Sequence, residues 1–187
     1  MNGRRGSAPQ RGLRQRLKHG GLIAYATASC FGLGCDPRNV RGLTALLRLK
    51  RRPKSKGLIV IADHFAQLVP FVRVTSSEDL APVVACWPGP HTWLLPASRR
   101  ASRLLRGRHE LVAVRVDAHP DAVAACRAVG GALVSTSLNI TGRRPVTRLR
   151  DALRQFGRRV LVLPGRIGAD RRPSTIHDFT TGRILRS

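Results

Sequence analysis

Residues 49–56, Leu-Lys-Arg-Arg-Pro-Lys-Ser-Lys, carry five cations in eight positions and run straight into the apolar stretch Gly-Leu-Ile-Val-Ile-Ala. Lys50, Lys54 and Lys56 are three of the four lysines in a chain whose other thirty basic residues are arginines. A lysine ammonium is a compact charge on a flexible stem, and an arginine fork grips pairs of oxygens. Together they suit an anion, either the backbone of a nucleic acid or the phosphates of a small nucleotide; the alternative is a solvated helix end. A second polar run, Leu133-Val-Ser-Thr-Ser-Leu-Asn-Ile-Thr-Gly142, ends an apolar strand in hydroxyl and amide groups. Ser135, Ser137 and Asn139 alternate, so an extended backbone puts them on one side. Ligands of α/β sheets gather at such carboxyl ends of strands, although these are also ordinary turn residues. Third, Arg115 lies inside the apolar Leu-Val-Ala-Val-Arg-Val, where a guanidinium needs an anion: Asp117 or a ligand carboxylate.

Acid–base chemistry has little to work with here, because Glu78 and Glu110 are the only glutamates. No P-loop, no G-x-S-x-G elbow and no H-E-x-x-H zinc motif is present. The chemistry must lean on cations, hydroxyls and backbone amides.

The elements that position these residues alternate. Gly21–Ala26 reads as a buried strand followed by a small-residue loop, Thr27–Pro37. Asn39 caps a helix with Val40, Leu43, Leu46 and Leu47 on one face, which brings Lys50 to its C-terminal end. Gly57–Ala62 is the second strand, with short helices expected from Asp63 and across Ser76–Trp87. Then come a strand at 110–116, a helix at 119–131, a strand at 132–137, a helix at 147–157 and a strand at 159–164. A closing hairpin turns at Thr181-Gly182. Residues 1–12 read as a basic arm, 13–18 as the end of a short helix, and Arg99–Arg108 as a mobile connector or basic rim. Strands separated by helices predict an α/β sheet in one domain, residues 13–187.

The charge of +24, from 34 basic and 10 acidic residues, attracts polyanions. Composition bias towards arginine explains it equally well. Cys30, Cys35, Cys86 and Cys126 form no metal-binding pattern and read as reduced thiols. With neither a signal-peptide core nor a membrane-length apolar run, the expected location is cytoplasmic, with no membrane partner.

Taken in order, these segments resemble the TsaC/YrdC family, the threonylcarbamoyl-AMP synthases. The residues that carry the resemblance are Ala24–Pro37 (AYATASCFGLGCDP), Lys50-Arg51-Arg52-Pro53 with Lys56, Ala113–Pro120 (AVRVDAHP), Ser135–Gly142 (STSLNITG) and the closing Arg172–Arg186. The resemblance implies a single twisted mixed sheet with flanking helices and a concave basic surface. It implies formation of threonylcarbamoyl-AMP and pyrophosphate from L-threonine, bicarbonate and ATP, the ATP arriving with Mg²⁺. Other proteins of the pathway would then transfer the threonylcarbamoyl group to tRNAs reading codons that begin with A, and direct tRNA or RNA contact is a further possibility.

Carried over by motif, Lys50 and Arg52 would be the catalytic cations. Lys50, Arg52, Lys56, Ser137 and Asn139 would bind ATP, while Thr27, Arg115 and Ser135 would bind threonine. Where the family has Pro-Thr-Glu, this chain has Ala26-Thr27-Ala28. That substitution and the high charge motivate the alternative of a non-catalytic RNA-binding module on the same fold.

Overall fold

The computed structural model describes residues 8–73, 80–170 and 172–187. Helix α1 (Ala8–Lys18) begins within the stretch expected to be an arm, so the helix is longer than Leu13–Lys18; residues 1–7 lie outside the described residues. Leu13 and Leu17, one helical turn apart, are buried and fix its inner face.

Among the described residues, nine strands form one mixed sheet. Its strands are β1 (Ile23–Ala26), β2 (Phe31–Gly34), β3 (Ile59–Ala62), β4 (His91–Pro96), β5 (Leu111–Val116), β6 (Leu133–Ser137), β7 (Leu161–Val162), β8 (Thr175–Asp178) and β9 (Ile184–Arg186), in the order β7-β1-β2-β6-β3-β5-β4-β8-β9. β1/β7, β3/β5 and β4/β8 are parallel; the other neighbours run antiparallel.

Alternation along the strands divides the sheet into two faces. Ala24, Leu33, Val60, Val114 and Val134 join one core with α2 (Val40–Lys50), α4 (Arg103–Arg106) and α6 (Leu149–Phe156). On the other face, Ile23, Tyr25, Ile61 and Leu133 pack under α1 and α5 (Pro120–Val129) in a smaller cluster. This second face continues past α5 through Gly32, Ile59, Arg115, Ser135 and Ser137, as the pairings Ile61↔Arg115, Ile59↔Ser135 and Gly32↔Ser137 show. The polar residues singled out in the sequence thus share the less covered face.

Helix α2 begins where the sequence puts it. Asn39 is extended, its Oδ1 accepts from the Gly42 N–H at 2.9 Å, and its Nδ2 donates to the Lys18 carbonyl at 2.7 Å. One side chain therefore caps α2 and ties down the end of α1. Asn39→Ala should cost about 1 kcal/mol, the usual value of a cap, seen as a lower urea midpoint with an unchanged slope. At the other end Arg51 takes a left-handed conformation, φ 51°, and the N–H groups of Arg51 and Arg52 close on the Arg48 and Leu47 carbonyls.

Three expectations are corrected, and one strand is added. The loop Thr27–Pro37 contains β2, and β4, after Pro88-Gly89-Pro90, had no counterpart in the sequence reading. The segment 99–108 is no loose connector: α4 lies in it, Leu105 is fully buried, and Gly107 bridges to Lys56. Past Asp63 there are two 3-10 turns, Phe65–Gln67 and Val69–Phe71. Of the helix expected across 76–87, α3 (Ala81–Ala85) is present, and residues 74–79 lie outside the described residues. The closing hairpin stands as β8 and β9.

All four cysteines are free, with Cys35 and Cys126 buried. No helix among the described residues is long and apolar enough to cross a membrane.

Candidate active site

Two adjoining cavities open on the sheet face left free by α5. The smaller, about 240 Å³, includes Arg52, Arg115, Ser135, Ser137 and Arg186 in its wall. The larger, about 350 Å³, lies towards the N-terminus of α5 and includes Ala28, Asp117, His119 and Asp170. Thr27, Ser29, Arg115 and Ser174 line both, so the cavities meet at a shared seam.

Lys50, expected to grip phosphates, is almost fully buried, at 2% exposed. Its ammonium donates to the Ser137 carbonyl, to the Asn139 carbonyl at 3.1 Å and to Asn139 Oδ1 at 2.8 Å. Its own carbonyl accepts from the Thr141 N–H at 2.8 Å. The end of α2 is thereby fastened to the loop after β6 through both side chain and main chain. Burial, and secondarily the Arg52 charge, push the Lys50 pKa down to about 8.

Ser137 donates its hydroxyl to Asn139 Oδ1 at 2.7 Å, so Asn139 links Lys50 to a cavity-lining serine without lining the cavity itself. Arg52 does line it. Its Nη2 donates to the Gly57 carbonyl at 2.8 Å, while its buried Nε has no partner among the described residues. Burial lowers its pKa. Lys56 is exposed and immediately precedes Gly57 in the cavity wall.

Arg115 has one of the two partners that the sequence left open, Asp117. Its Nη2 pairs with Asp117, whose other oxygen is held by the His119 N–H at 2.9 Å. Yet Arg115 also faces both cavities, and its buried Nε has no partner among the described residues. The ion pair fixes the guanidinium and leaves donors to spare. Thr27 is held in a tight turn by a hydroxyl bond to the Cys30 carbonyl at 2.7 Å, and Ser135 is buried in the cavity floor beside Ile59.

The structure thus gathers Thr27, Arg52, Arg115, Ser135 and Ser137 around one cavity, sets Lys50 and Asn139 directly against Ser137, and leaves Lys56 on the surface beside them. Among the wall residues that were not anticipated, two come from the closing stretch. Arg186, on edge strand β9, reaches the Ser174 carbonyl with Nη2 at 2.7 Å and Nε at 3.1 Å. Ser174 in turn shares a hydroxyl bond with Thr92 at 2.9 Å. Their signal in the sequence was the closing stretch alone. Burial first, and then the Arg115 charge, lower the Arg186 pKa. Arg52, Arg115 and Arg186 therefore converge on a cavity with no carboxylate among its described lining residues, which can neutralise a polyvalent anion.

The Sua5/YciO/YrdC family model, described as telomere recombination, matches residues 15–187. The chain belongs to this family. It is 56% identical over 176 residues to a threonylcarbamoyl-AMP synthase of Methylobacillus flagellatus, covering 94% of this chain and 98% of that protein. A threonylcarbamoyl-AMP synthase of Thiobacillus denitrificans is 51% identical over 184 residues, 98% of this chain and 97% of that protein. Among solved structures, Sua5 of P. abyssi complexed with L-threonine superposes with a TM-score of 0.81 at 26% identity, over 91% of this chain. This chain spans about half of that protein's length, 52%. The α/β fold with one mixed sheet and flanking helices expected from the sequence is therefore the Sua5/YciO/YrdC fold.

Proposed function

We propose that this member of the Sua5/YciO/YrdC family is a threonylcarbamoyl-AMP synthase, a nucleotidyltransferase that condenses L-threonine, bicarbonate and ATP with release of pyrophosphate. The observation that carries the reading is the cavity walled by Arg52, Arg115 and Arg186, with no carboxylate among its described lining residues, joined at Thr27, Arg115 and Ser174 to a second cavity. A triphosphate needs such neutralisation, and an amino acid can sit at the seam beside it. Homologues at 51–56% identity bear the synthase name, and a structural relative was solved with L-threonine.

In this reading Arg52 and Arg186 hold the triphosphate, with Lys56 at its exposed end. Ser137 meets the nucleotide, kept in place by Asn139 and Lys50. Arg115 takes the threonine carboxylate with its spare donors, beside Thr27 and Ser135. Threonine's amine and bicarbonate give a carbamate with loss of water, a carbamate oxygen attacks the α-phosphorus, and pyrophosphate departs. Such a transfer depends on alignment and on charge neutralisation rather than on a protein nucleophile. Mg²⁺ accompanies the nucleotide as part of the substrate, adding positive charge where the pyrophosphate leaves. The product then passes to other proteins that modify tRNA, in the cytoplasm.

Incubation with ATP, Mg²⁺, bicarbonate and labelled threonine should yield a labelled adenylate and one pyrophosphate per adenylate. Folded protein that forms no adenylate under these conditions, yet binds RNA, would replace this reading by the binding module.

A further inference from the structure

An amino acid brings two opposite charges to its site, and the cavities provide openly for only one of them. Arg52, Arg115 and Arg186 face the smaller cavity, in a chain whose net charge is +24. A carboxylate is drawn into that field, whereas an ammonium is repelled unless an anion stands beside it. Among the described lining residues of the two cavities there are two carboxylates, Asp117 and Asp170, both in the larger cavity. Asp117 is fully engaged: it is 5% exposed, one oxygen pairs with Arg115, and the other accepts from the His119 N–H at 2.9 Å. The ring nitrogen Nδ1 of His119, without a partner among the described residues, is itself buried. Asp170 keeps acceptor capacity. One of its oxygens accepts from the Arg172 N–H at 3.0 Å, and the Arg172 guanidinium stands 3.9 Å off with its side chain 86% exposed. Such a loose surface pair contributes little. The other oxygen of Asp170 has no hydrogen-bond partner among the described residues.

The backbone brings this carboxylate to the turn that presents Thr27. Two residues before Asp170, Gly168 donates its N–H to the Thr27 carbonyl at 3.1 Å, and a Cβ on Gly168 would meet the Ala28 carbonyl at 2.8 Å. Ala28, Gly168 and Asp170 line the larger cavity together, with Arg115 at the seam. Position 28, a glutamate in the family pattern, is alanine here and brings no charge. We infer that Asp170 holds the amino group of the bound amino acid, supplying from the loop after β7 the negative charge that position 28 lacks. The inference rests on the synthase reading, in which Arg115 takes the threonine carboxylate. The two charged ends of one small molecule are then gripped by different walls, which fixes its nitrogen. Once that nitrogen has become a carbamate it retains one N–H, which goes on donating to Asp170 while the carbamate oxygens turn to the arginines of the smaller cavity. The role is binding and orientation, and no bond is made or broken at Asp170.

The test is equilibrium binding of two ligands by calorimetry at neutral pH. One is L-threonine; the other is 2,3-dihydroxybutanoate of the same configuration, in which a hydroxyl replaces the amine. The parent should prefer threonine. Asp170→Asn should weaken threonine about tenfold and leave dihydroxybutanoate unchanged. That is the low end for a hydrogen bond between charged groups, because the Asp170 side chain is 42% exposed. Asp170→Glu should retain the preference, Arg172→Gln should not reduce it, and Ala28→Glu in the Asp170→Asn background should restore it. In the adenylate assay Asp170→Asn should raise KM for threonine and leave KM for ATP where it was. Unchanged threonine affinity in Asp170→Asn would overturn the assignment. Equal losses for the two ligands would overturn it as well, because they mark a distorted cavity rather than a lost partner of the amine. So would a parent that does not bind threonine. A parent whose threonine preference disappears in Asp170→Asn, yet which makes no adenylate, leaves Asp170 in this role and removes the synthase reading alone.

Discussion

Lys50→Ala should lower adenylate formation by about a hundredfold while the protein still folds. The substitution strips the ammonium from the Ser137 carbonyl and from both oxygens of Asn139. Leaving buried acceptors unmatched costs about 1–3 kcal/mol each, and each 1.4 kcal/mol lost from the transition state is about tenfold in rate. The loop that presents Ser137 would lose its shape, so the loss should fall on both nucleotide affinity and turnover. The pH profile separates this role from simple scaffolding. With its pKa pushed down to about 8, the ammonium becomes an amine with one donor fewer as the pH rises past that point. Turnover should fall with an alkaline limb near pH 8, and Lys50→Arg, if active, should move that limb away. Stability has the opposite sign. The folded-state value lies below the ordinary 10.5, so the unfolded chain binds more protons between about pH 8 and 10.5, and this group favours the fold increasingly across that window. An activity loss caused by unfolding would require the reverse trend from this group. Turnover and melting temperature measured at each pH distinguish the two.

Arg115→Leu should do more damage, because it removes a ligand group and leaves a buried carboxylate alone. Asp117 is 5% exposed and pairs with Arg115; breaking such a pair from one side costs about 3–5 kcal/mol. That is a large share of the stability of a domain of this size. The double variant Arg115→Leu/Asp117→Asn removes the orphaned charge and should recover most of the denaturation midpoint. It should not recover adenylate formation, which should remain at least a thousandfold down, with threonine no longer saturating. Recovery of activity together with stability would reduce Arg115 to a structural partner of Asp117.

The sequence exposed the parts of the fold whose signals are local. Asn39 before an apolar helical stripe identified α2, and the continuous apolar runs identified β1, β3, β5 and β6. β2 was hidden because two of its four residues are glycines, and the reason is a contact far from the loop rules. A Cβ at Gly34 would lie 2.9 Å from the Tyr25 ring and 2.7 Å from the Val134 carbonyl. β4 was masked by the Pro-Gly-Pro before it. In the candidate site, Ser135 and Ser137 were legible because motif and strand end coincide, and Arg52 because its cationic motif follows the end of α2. The committed state of Lys50 was not, since its partners lie 87–89 residues away. Nor was the Arg186–Ser174 contact, which exists only once the hairpin has folded back.

The loop after β7 bears on the unusual Ala26-Thr27-Ala28. Gly168 donates its N–H to the Thr27 carbonyl at 3.1 Å, and a Cβ there would meet the Ala28 carbonyl at 2.8 Å. A Cβ at Gly165 would come within 2.5 Å of the Asp121 carboxylate and 3.2 Å of the Ala26 methyl. Gly165 is thus fitted against the Ala26 side chain, and Gly168 against the Ala28 main chain. A side chain at 165 or 168 would therefore have to displace the turn that holds Thr27 in the cavity wall.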